Sequence, residues 1–92
     1  MYKIRKTSKF RKSLKKYARS GKFDAEAVKN IIDTLARGEK LEERHKDHQL
    51  SGKMKNSREC HIKPNLLLIY KIEKDYLILI LVNIGSHSDL FG

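Results

Sequence analysis

Two long apolar runs near the end of the chain constrain the fold more than any other feature. The runs "NLLLIYKI" at 65–72 and "YLILILVNI" at 76–84 are separated only by the polar stretch 73–75. Consecutive Leu, Ile and Val residues are typical of strands that are buried on both faces. A connection this short joins antiparallel strands, so the sequence predicts a central hairpin that other elements must cover.

The first half of the chain predicts one strand and two helices. The stretch 2–7, "YKIRKT", alternates apolar and basic residues, which favours a short half-exposed strand. Thr7 or Ser8 can cap a first helix, and Asp24 can cap a second one that stops at Gly38. Apolar residues recur at helical spacing in both segments: Phe10, Leu14, Tyr17 and Ala18 in the first, and Ala27, Val28, Ile31, Ile32 and Leu35 in the second.

The middle of the chain completes an α+β pattern. Residues 39–50 predict an exposed loop, and residues 53–63 predict one strand or a bent pair, interrupted at 56–57. We therefore expect a single domain over 1–92, with an N-terminal strand and an αα-hairpin packed on one face of a mainly antiparallel sheet of four to five strands. The other face of the final hairpin would stay apolar, and we expect a groove or partner-binding surface there.

The charge of the chain is concentrated at its N-terminus. The formal net charge is +10, and residues 1–22 hold ten Lys or Arg and no acidic residue. Such a patch favours a polyanionic partner, with binding that weakens as salt rises. A solvated helix face that keeps the protein soluble is the alternative.

Several classes of protein are disfavoured. No apolar run reaches the length of a membrane span, no secretory h-region is present, and a single cysteine agrees with a reducing cytoplasm, where we expect the protein to act. A membrane-surface helix is the weakest alternative, because its apolar stripe is narrow. The four histidines lack a metal-ligand spacing, so we expect no metal and no cofactor. Cys60 is expected to be a small buried hydrophobe rather than a nucleophile.

The remaining polar residues suit RNA cleavage without a metal. RNA supplies its own 2′-hydroxyl nucleophile, so the protein must add a base, an acid and cations that stabilise the phosphorane. Histidine, which titrates near neutral pH, can serve as base or acid. Because spacing alone does not show that the histidines converge, composition predicts only a basic RNA-binding candidate.

Three segments in order carry a family resemblance. They are "KDHQLSGKMK" at 46–55, "RECHIKPNLLLIYKI" at 58–72 and "GSHSDLFG" at 85–92. Together with the N-terminal strand and helical hairpin, they resemble the YafQ branch of the RelE/ParE toxin superfamily along essentially the whole chain. The resemblance implies a RelE-like fold.

The resemblance also implies a function. Such toxins are metal-independent endoribonucleases that cut mRNA in the ribosomal A site, and they are inhibited by a cognate antitoxin that usually dimerises as a ribbon-helix-helix domain. An acidic toxin-binding segment on that antitoxin would suit the basic N-terminus.

The family's site residues fall on specific positions of this chain. We expect His87 as general acid, His48 as general base and His61 orienting substrate or stabilising the phosphorane, although His48 and His61 could exchange roles. Phe91 would position a nucleotide base near the scissile phosphate. Glu59 stands where the family has an acidic residue before its second histidine. Lys53, Lys55 and Arg58 are candidate phosphate contacts, each equally well explained as an exposed strand residue. Residues expected to bind ribosomal RNA are Lys9, Arg11, Lys12, Lys15, Lys16 and Arg19.

The chain departs from the family pattern after its proline. Asn65 stands where the family commonly has Asp, and Leu66 stands where an aromatic residue is common. Since Asn cannot ionise, a slower ribonuclease or an altered preference is expected. Two other functions stay open: an RNA- or ribosome-binding module without activity, and a ParE-like inhibitor of a protein target, which generally lacks the histidines.

Overall fold

The computed structural model describes all 92 residues as five strands, three α-helices and two short 3-10 turns. In chain order the elements are β1 (Lys3–Lys6), α1 (Ser8–Ala18), α2 (Ala25–Ala36), a 3-10 turn (Glu43–His45), β2 (His48–Gln49), a second 3-10 turn (Gly52–Met54), β3 (Arg58–Lys63), β4 (Leu66–Glu73), β5 (Ile78–Gly85) and α3 (His87–Phe91). None of the helices is long and apolar enough to cross a membrane.

The sheet is built around the predicted hairpin. Its strand order is β1-β5-β4-β3-β2, so β4 and β5 are flanked on both sides. All neighbours are antiparallel except β1, which runs parallel to β5. A parallel neighbour needs a long crossover, and the two helices lie in the chain between β1 and the rest of the sheet. The expected α+β architecture is therefore confirmed, with five strands.

The helices begin and end where the sequence predicts. Thr7 accepts a hydrogen bond from the backbone N–H of Phe10, and Asp24 accepts one from Ala27, so each supplies an N-cap. Gly21 and Gly38 follow the two helices with φ of +78° and +76°, a left-handed conformation that glycine adopts without strain.

One face of the sheet packs against both long helices in a cluster of 13 buried residues. Alternate β3 and β4 residues, such as Cys60 and Leu68, belong to this cluster. We call this side of the sheet the core face. On the other side, Leu67 and Ile69 are also buried, at 1% and 2% exposure, so the predicted open apolar groove is not found on β4.

Three local predictions were wrong. Within the predicted 53–63 segment only Arg58–Lys63 is a strand, because a 3-10 turn at Gly52–Met54 precedes β3. The segment 39–50 is not only loop, since it contains a 3-10 turn and the two-residue β2. The sequence also favours a strand end over residues 85–92 that would bring His87 and Phe91 into a cleft, but His87–Phe91 form a helix.

Candidate active site

Two of the predicted histidines meet a buried carboxylate on the side of the sheet opposite the core face. Glu59 lies in β3 with a side chain only 7% exposed, and its Oε1 is 3.8 Å from His48 Nε2 and 3.5 Å from His61 Nε2. These separations allow charge attraction but are longer than a direct hydrogen bond. A buried carboxylate needs such partners, because an unpaired charge away from water is costly. We call this face, with its Glu59–histidine cluster, the cleft face.

Backbone pairing creates the cluster. His48 in β2 lies opposite Glu59 in β3, while His61 is two residues further along the same strand. Side chains of a strand alternate between faces, so Glu59 and His61 share the cleft face while Cys60 between them enters the core. His48 remains half exposed, at 52%, and His61 is 24% exposed.

The orientation of His48 is fixed by its own loop. Its Nδ1 lies 2.7 Å from the carbonyl oxygen of Lys46. A carbonyl can only accept, so Nδ1 carries the proton, and in the neutral ring Nε2 is free to take one. Nε2 is the nitrogen that faces Glu59.

The register of the central strands places the start of α3 beside this cluster. His61 pairs with Leu67, and Leu67 pairs with Gly85 at the end of β5. Neighbouring strands are spaced about 4.8 Å apart, so the backbones of His61 and Gly85 are roughly 10 Å apart. His87 follows two residues later, at the start of α3.

A short capped helix holds His87. Ser86 accepts a hydrogen bond from the N–H of Asp89, and the Asp89 carboxylate accepts one from the N–H of Ser86, which is a capping box. The hydrogen bond from the Ser86 backbone N–H, together with the Ser86 hydroxyl, holds the pKa of Asp89 below its usual range. One turn along, the Phe91 ring lies 5.2 Å from the His87 ring at 47°. Both rings are exposed, so the pair offers an aromatic surface at the end of the chain.

Asn65 lies in a separate cleft between α1 and α3. It is exposed in the β3–β4 turn and lines this cleft with Lys9 and Lys16 of α1 and with Ser86. Asn65 is thus near the residue that caps the His87 helix. Leu66, its neighbour, is buried in the core.

The basic residues divide into two groups. All six predicted cations of α1 are exposed and none forms an ion pair, which leaves their charge available: Lys9, Arg11, Lys12, Lys15, Lys16 and Arg19. Lys53 and Lys55 are exposed but lie in and after the 3-10 turn rather than on a strand. Arg58 pairs across the sheet with Tyr70 and contacts Asp47, so it lies on the core face, away from the histidines.

Sequence reasoning missed two residues. His45 was interpreted as an exposed loop residue, yet it is half-buried, and its Nδ1 lies 2.7 Å from the carbonyl oxygen of His61. Asp47 accepts hydrogen bonds from two distant residues of the core face. The only sequence signal for either residue is that it lies within three positions of His48.

The donor set does not fit a metal centre or a cysteine nucleophile. No group of three or more His, Cys, Asp or Glu residues is arranged to hold a metal ion. Burial, together with nearby carboxylates, raises the pKa of Cys60 to about 12, so its thiol stays protonated at neutral pH.

Comparison with known proteins identifies the family. Residues 2–92 match the YafQ family, described as bacterial toxins of type II toxin–antitoxin systems. The chain belongs to the YafQ toxin family. The E. coli DinJ–YafQ complex contains a chain that is 29% identical to this YafQ-family toxin over the full length of both, with a TM-score of 0.88. The predicted family and RelE-like fold are confirmed.

Two further relatives extend the comparison. A metal-bound toxin from Helicobacter pylori is 43% identical over 99% of this chain and 100% of its own, with a TM-score of 0.91. The mRNA interferase toxin YafQ of E. coli K12 is 40% identical over 48 residues, which are 52% of this chain and 50% of that protein. The matched segment thus spans about half the length of this curated relative.

Proposed function

We propose that this YafQ-family toxin is an endoribonuclease that cleaves mRNA on the ribosome without a metal. The observation that carries the proposal is the meeting of His48 and His61 at the buried Glu59, in register with the strand that leads to His87. A similarity to a curated mRNA interferase supports it. An acid and a base on opposite sides of one phosphodiester are what 2′-hydroxyl attack requires.

In the proposed reaction, His48 removes the proton from the 2′-hydroxyl. The 2′-oxygen attacks the adjacent phosphorus, and the bond to the 5′-oxygen of the next nucleotide breaks. His87 gives its proton to that leaving oxygen. The products are a 2′,3′-cyclic phosphate and a free 5′-hydroxyl, and the two histidines are left with exchanged protonation states.

The geometry favours His48 over His61 as the base. The Lys46 carbonyl keeps the proton of the neutral ring on Nδ1 of His48, so Nε2 is the nitrogen that can accept one. The His48 side chain is also about twice as exposed as that of His61. His61 would then orient the phosphate or stabilise the charged phosphorane, with Glu59 holding both rings.

Phe91 and Asn65 would act on the nucleotides around the scissile bond. The exposed Phe91 ring, tilted against His87, is suited to stack on a base. Asn65 offers hydrogen bonds but no charge at the cleft beside Ser86. We therefore expect slower cleavage than with a carboxylate at position 65.

The unpaired cations of α1 are suited to bind ribosomal RNA. Contacts of this kind are independent of sequence and sensitive to salt. Lys53 and Lys55 are candidates for further phosphate contacts because both are exposed. Arg58 is the weakest candidate, since Asp47 already binds its guanidinium.

We further propose a cognate antitoxin as the protein partner. The family of type II toxins and the DinJ–YafQ complex of a relative support this partner. An acidic segment would complement the N-terminal charge. Titration of the toxin with a candidate antitoxin at rising salt would test it, and binding that did not weaken with salt would contradict the charge argument.

The test of activity is a reconstituted translation reaction with a defined mRNA, in which 5′ ends are mapped by primer extension. Parent and His87→Ala are compared, and Ser88→Ala, an exposed neighbour in α3, is the matched control. Naked RNA with EDTA tests dependence on the ribosome. New ends confined to translated codons in parent and Ser88→Ala, but absent in His87→Ala, would support the proposal.

Ribosome binding without cleavage by the parent protein would contradict the proposed activity. It would instead favour the RNA-binding module.

A further inference from the structure

Asp47 links the loop of the candidate base to the core. Its Oδ1 accepts a hydrogen bond of 2.7 Å from the Tyr70 hydroxyl and one of 3.2 Å from Arg58 Nε. Tyr70 is 1% exposed and belongs to the core cluster. No step of the proposed reaction uses this carboxylate, yet it is the residue directly before His48.

Asp47 and His48 contact opposite faces of the sheet. Arg58 pairs with Tyr70 across β3 and β4 on the core face, where Asp47 meets them both. The next cross-strand pair, Glu59 with Ile69, has the opposite side-chain direction, and Glu59 is the residue that His48 faces. At the edge of the sheet, therefore, Asp47 binds residues of the core face, and the next residue, His48, faces the cleft side.

The backbone that holds the His48 ring needs such an anchor. Lys46, whose carbonyl receives the His48 Nδ1–H, has φ of 47°, in the left-handed region that a residue with a side chain rarely adopts. Strain of this kind persists where surrounding contacts determine the conformation. β2 itself is only two residues long, so its ladder contributes little.

We propose that Asp47 is a positioning residue for catalysis, which fixes the Lys46–His48 turn through Tyr70 and Arg58 and so holds His48 Nε2 at Glu59. This inference rests on the proposed function of His48 as base. Burial and the hydrogen bond to Asp47 raise the pKa of Tyr70, so its hydroxyl remains a donor at neutral pH. The anchor is therefore intact under the conditions in which a histidine base works.

The kinetic test compares Asp47→Ala with the parent, using Asp75→Ala, an exposed carboxylate in the β4–β5 turn, as the matched control. Asp47→Ala should lower the single-turnover rate on saturated ribosomes by roughly 10²-fold, because misplacing a catalytic group by about 1 Å has this effect. The affinity for ribosomes should stay within about threefold, since the Asp47 carboxylate is already bound to Tyr70 and Arg58 within the protein. Asp75→Ala should match the parent.

A double-mutant cycle separates positioning from a general structural role. In a His48→Ala background, Asp47→Ala should reduce the residual rate by less than about threefold, because residues that act through one group are not additive. An equal loss in both backgrounds would overturn the proposal, as would an Asp47→Ala rate within twofold of the parent. Tyr70→Phe removes the hydroxyl that donates to Asp47 while keeping the buried ring, and it replaces Asp47→Ala in the cycle if thermal denaturation shows that Asp47→Ala is unfolded.

A spectroscopic readout keeps this proposal distinguishable from the proposed function. Imidazole ¹⁵N NMR of the free protein reports which ring nitrogen of His48 carries the proton. The parent and Asp75→Ala should hold the proton on Nδ1, and Asp47→Ala should populate both tautomers. An unchanged tautomer in Asp47→Ala would overturn the positioning role even if the parent cleaves mRNA. A tautomer shift in Asp47→Ala, together with a parent protein that does not cleave mRNA, would contradict the proposed function alone.

Discussion

The two faces of β3 show how one strand serves both stability and chemistry. Cys60 and Ile62 point into the apolar core, where each is at most 6% exposed. Glu59 and His61, which alternate with them, form the cleft face. Two helices cover the core face. On the cleft face, the buried carboxylate of Glu59 lies near His48 and His61. Because side-chain direction alternates, changes on one face should leave the other largely intact.

The largest effect should follow from removing the His87 side chain at the start of α3. His87→Ala should lower the cleavage rate by about 10²–10⁴-fold, which is the usual contribution of general acid–base catalysis. Its melting temperature should stay close to that of the parent, since the side chain is exposed. Single-turnover cleavage and thermal denaturation would check both, and a large loss of stability would contradict the separation of the faces.

A core-face change should do the opposite. Leu68→Ala removes a fully buried side chain from the center of β4 and should lower the free energy of unfolding by about 2–5 kcal/mol. The folded fraction should cleave at nearly the parental rate. Urea denaturation followed by circular dichroism gives the stability, and a rate loss larger than the unfolded fraction explains would show that the faces are coupled.

Gly85 is a second point, besides Asp47, where a change should affect both stability and cleavage. A Cβ at this position would lie 3.0 Å from Asp89 Cβ, so Gly85→Ala must push α3 away from β5. We expect a stability loss of about 1–3 kcal/mol from overpacking, and a rate loss of roughly tenfold because His87 moves with the helix. An unchanged rate would mean that the position of α3 does not matter for cleavage.

Ser86→Ala tests the cap of the same helix with a smaller effect. Loss of an N-cap costs about 1 kcal/mol, so α3 should fray and the rate should fall a few-fold. Because the pKa of Asp89 is lowered in the folded protein, its part of the capping box is present at neutral pH and is lost as pH falls through that lowered pKa. Amide hydrogen exchange of residues 89–92 at pH 7 and near pH 3 would measure both.

The smallest effect on the site should come from removing positive charge on α1. The double variant Lys12→Gln, Lys15→Gln removes two exposed cations without touching either face of the sheet. The dependence of log K on log salt for ribosome binding should become shallower by up to about 2 units, at unchanged stability. An identical slope would exclude these lysines as RNA contacts.

The sequence predicts elements that are long or locally capped. The hairpin follows from its apolar runs, and the caps at Thr7 and Asp24 follow from short-range hydrogen bonds. The five-residue α3 and the two-residue β2 were missed because such short elements carry no periodic signal.

The candidate site was predictable only in part. Three histidines could be named from the resemblance to the family, but their meeting at Glu59 depends on strand register. The Asp47–Tyr70 hydrogen bond joins residues 23 positions apart, and nothing in the local sequence indicates it. Arg58 was a candidate phosphate contact or an exposed strand residue, whereas alternation along β3 turns it toward the core face.

The chemistry of the new RNA ends tests the central claim most directly. RNA cleaved by the parent protein in purified ribosome complexes, with magnesium as the one added divalent metal, would be analysed by mass spectrometry. The account predicts a 2′,3′-cyclic phosphate, or the monophosphate formed from it, and a 5′-hydroxyl. Products with a 3′-hydroxyl and a 5′-phosphate would require water rather than the 2′-oxygen as nucleophile, and they would contradict the histidine acid–base mechanism.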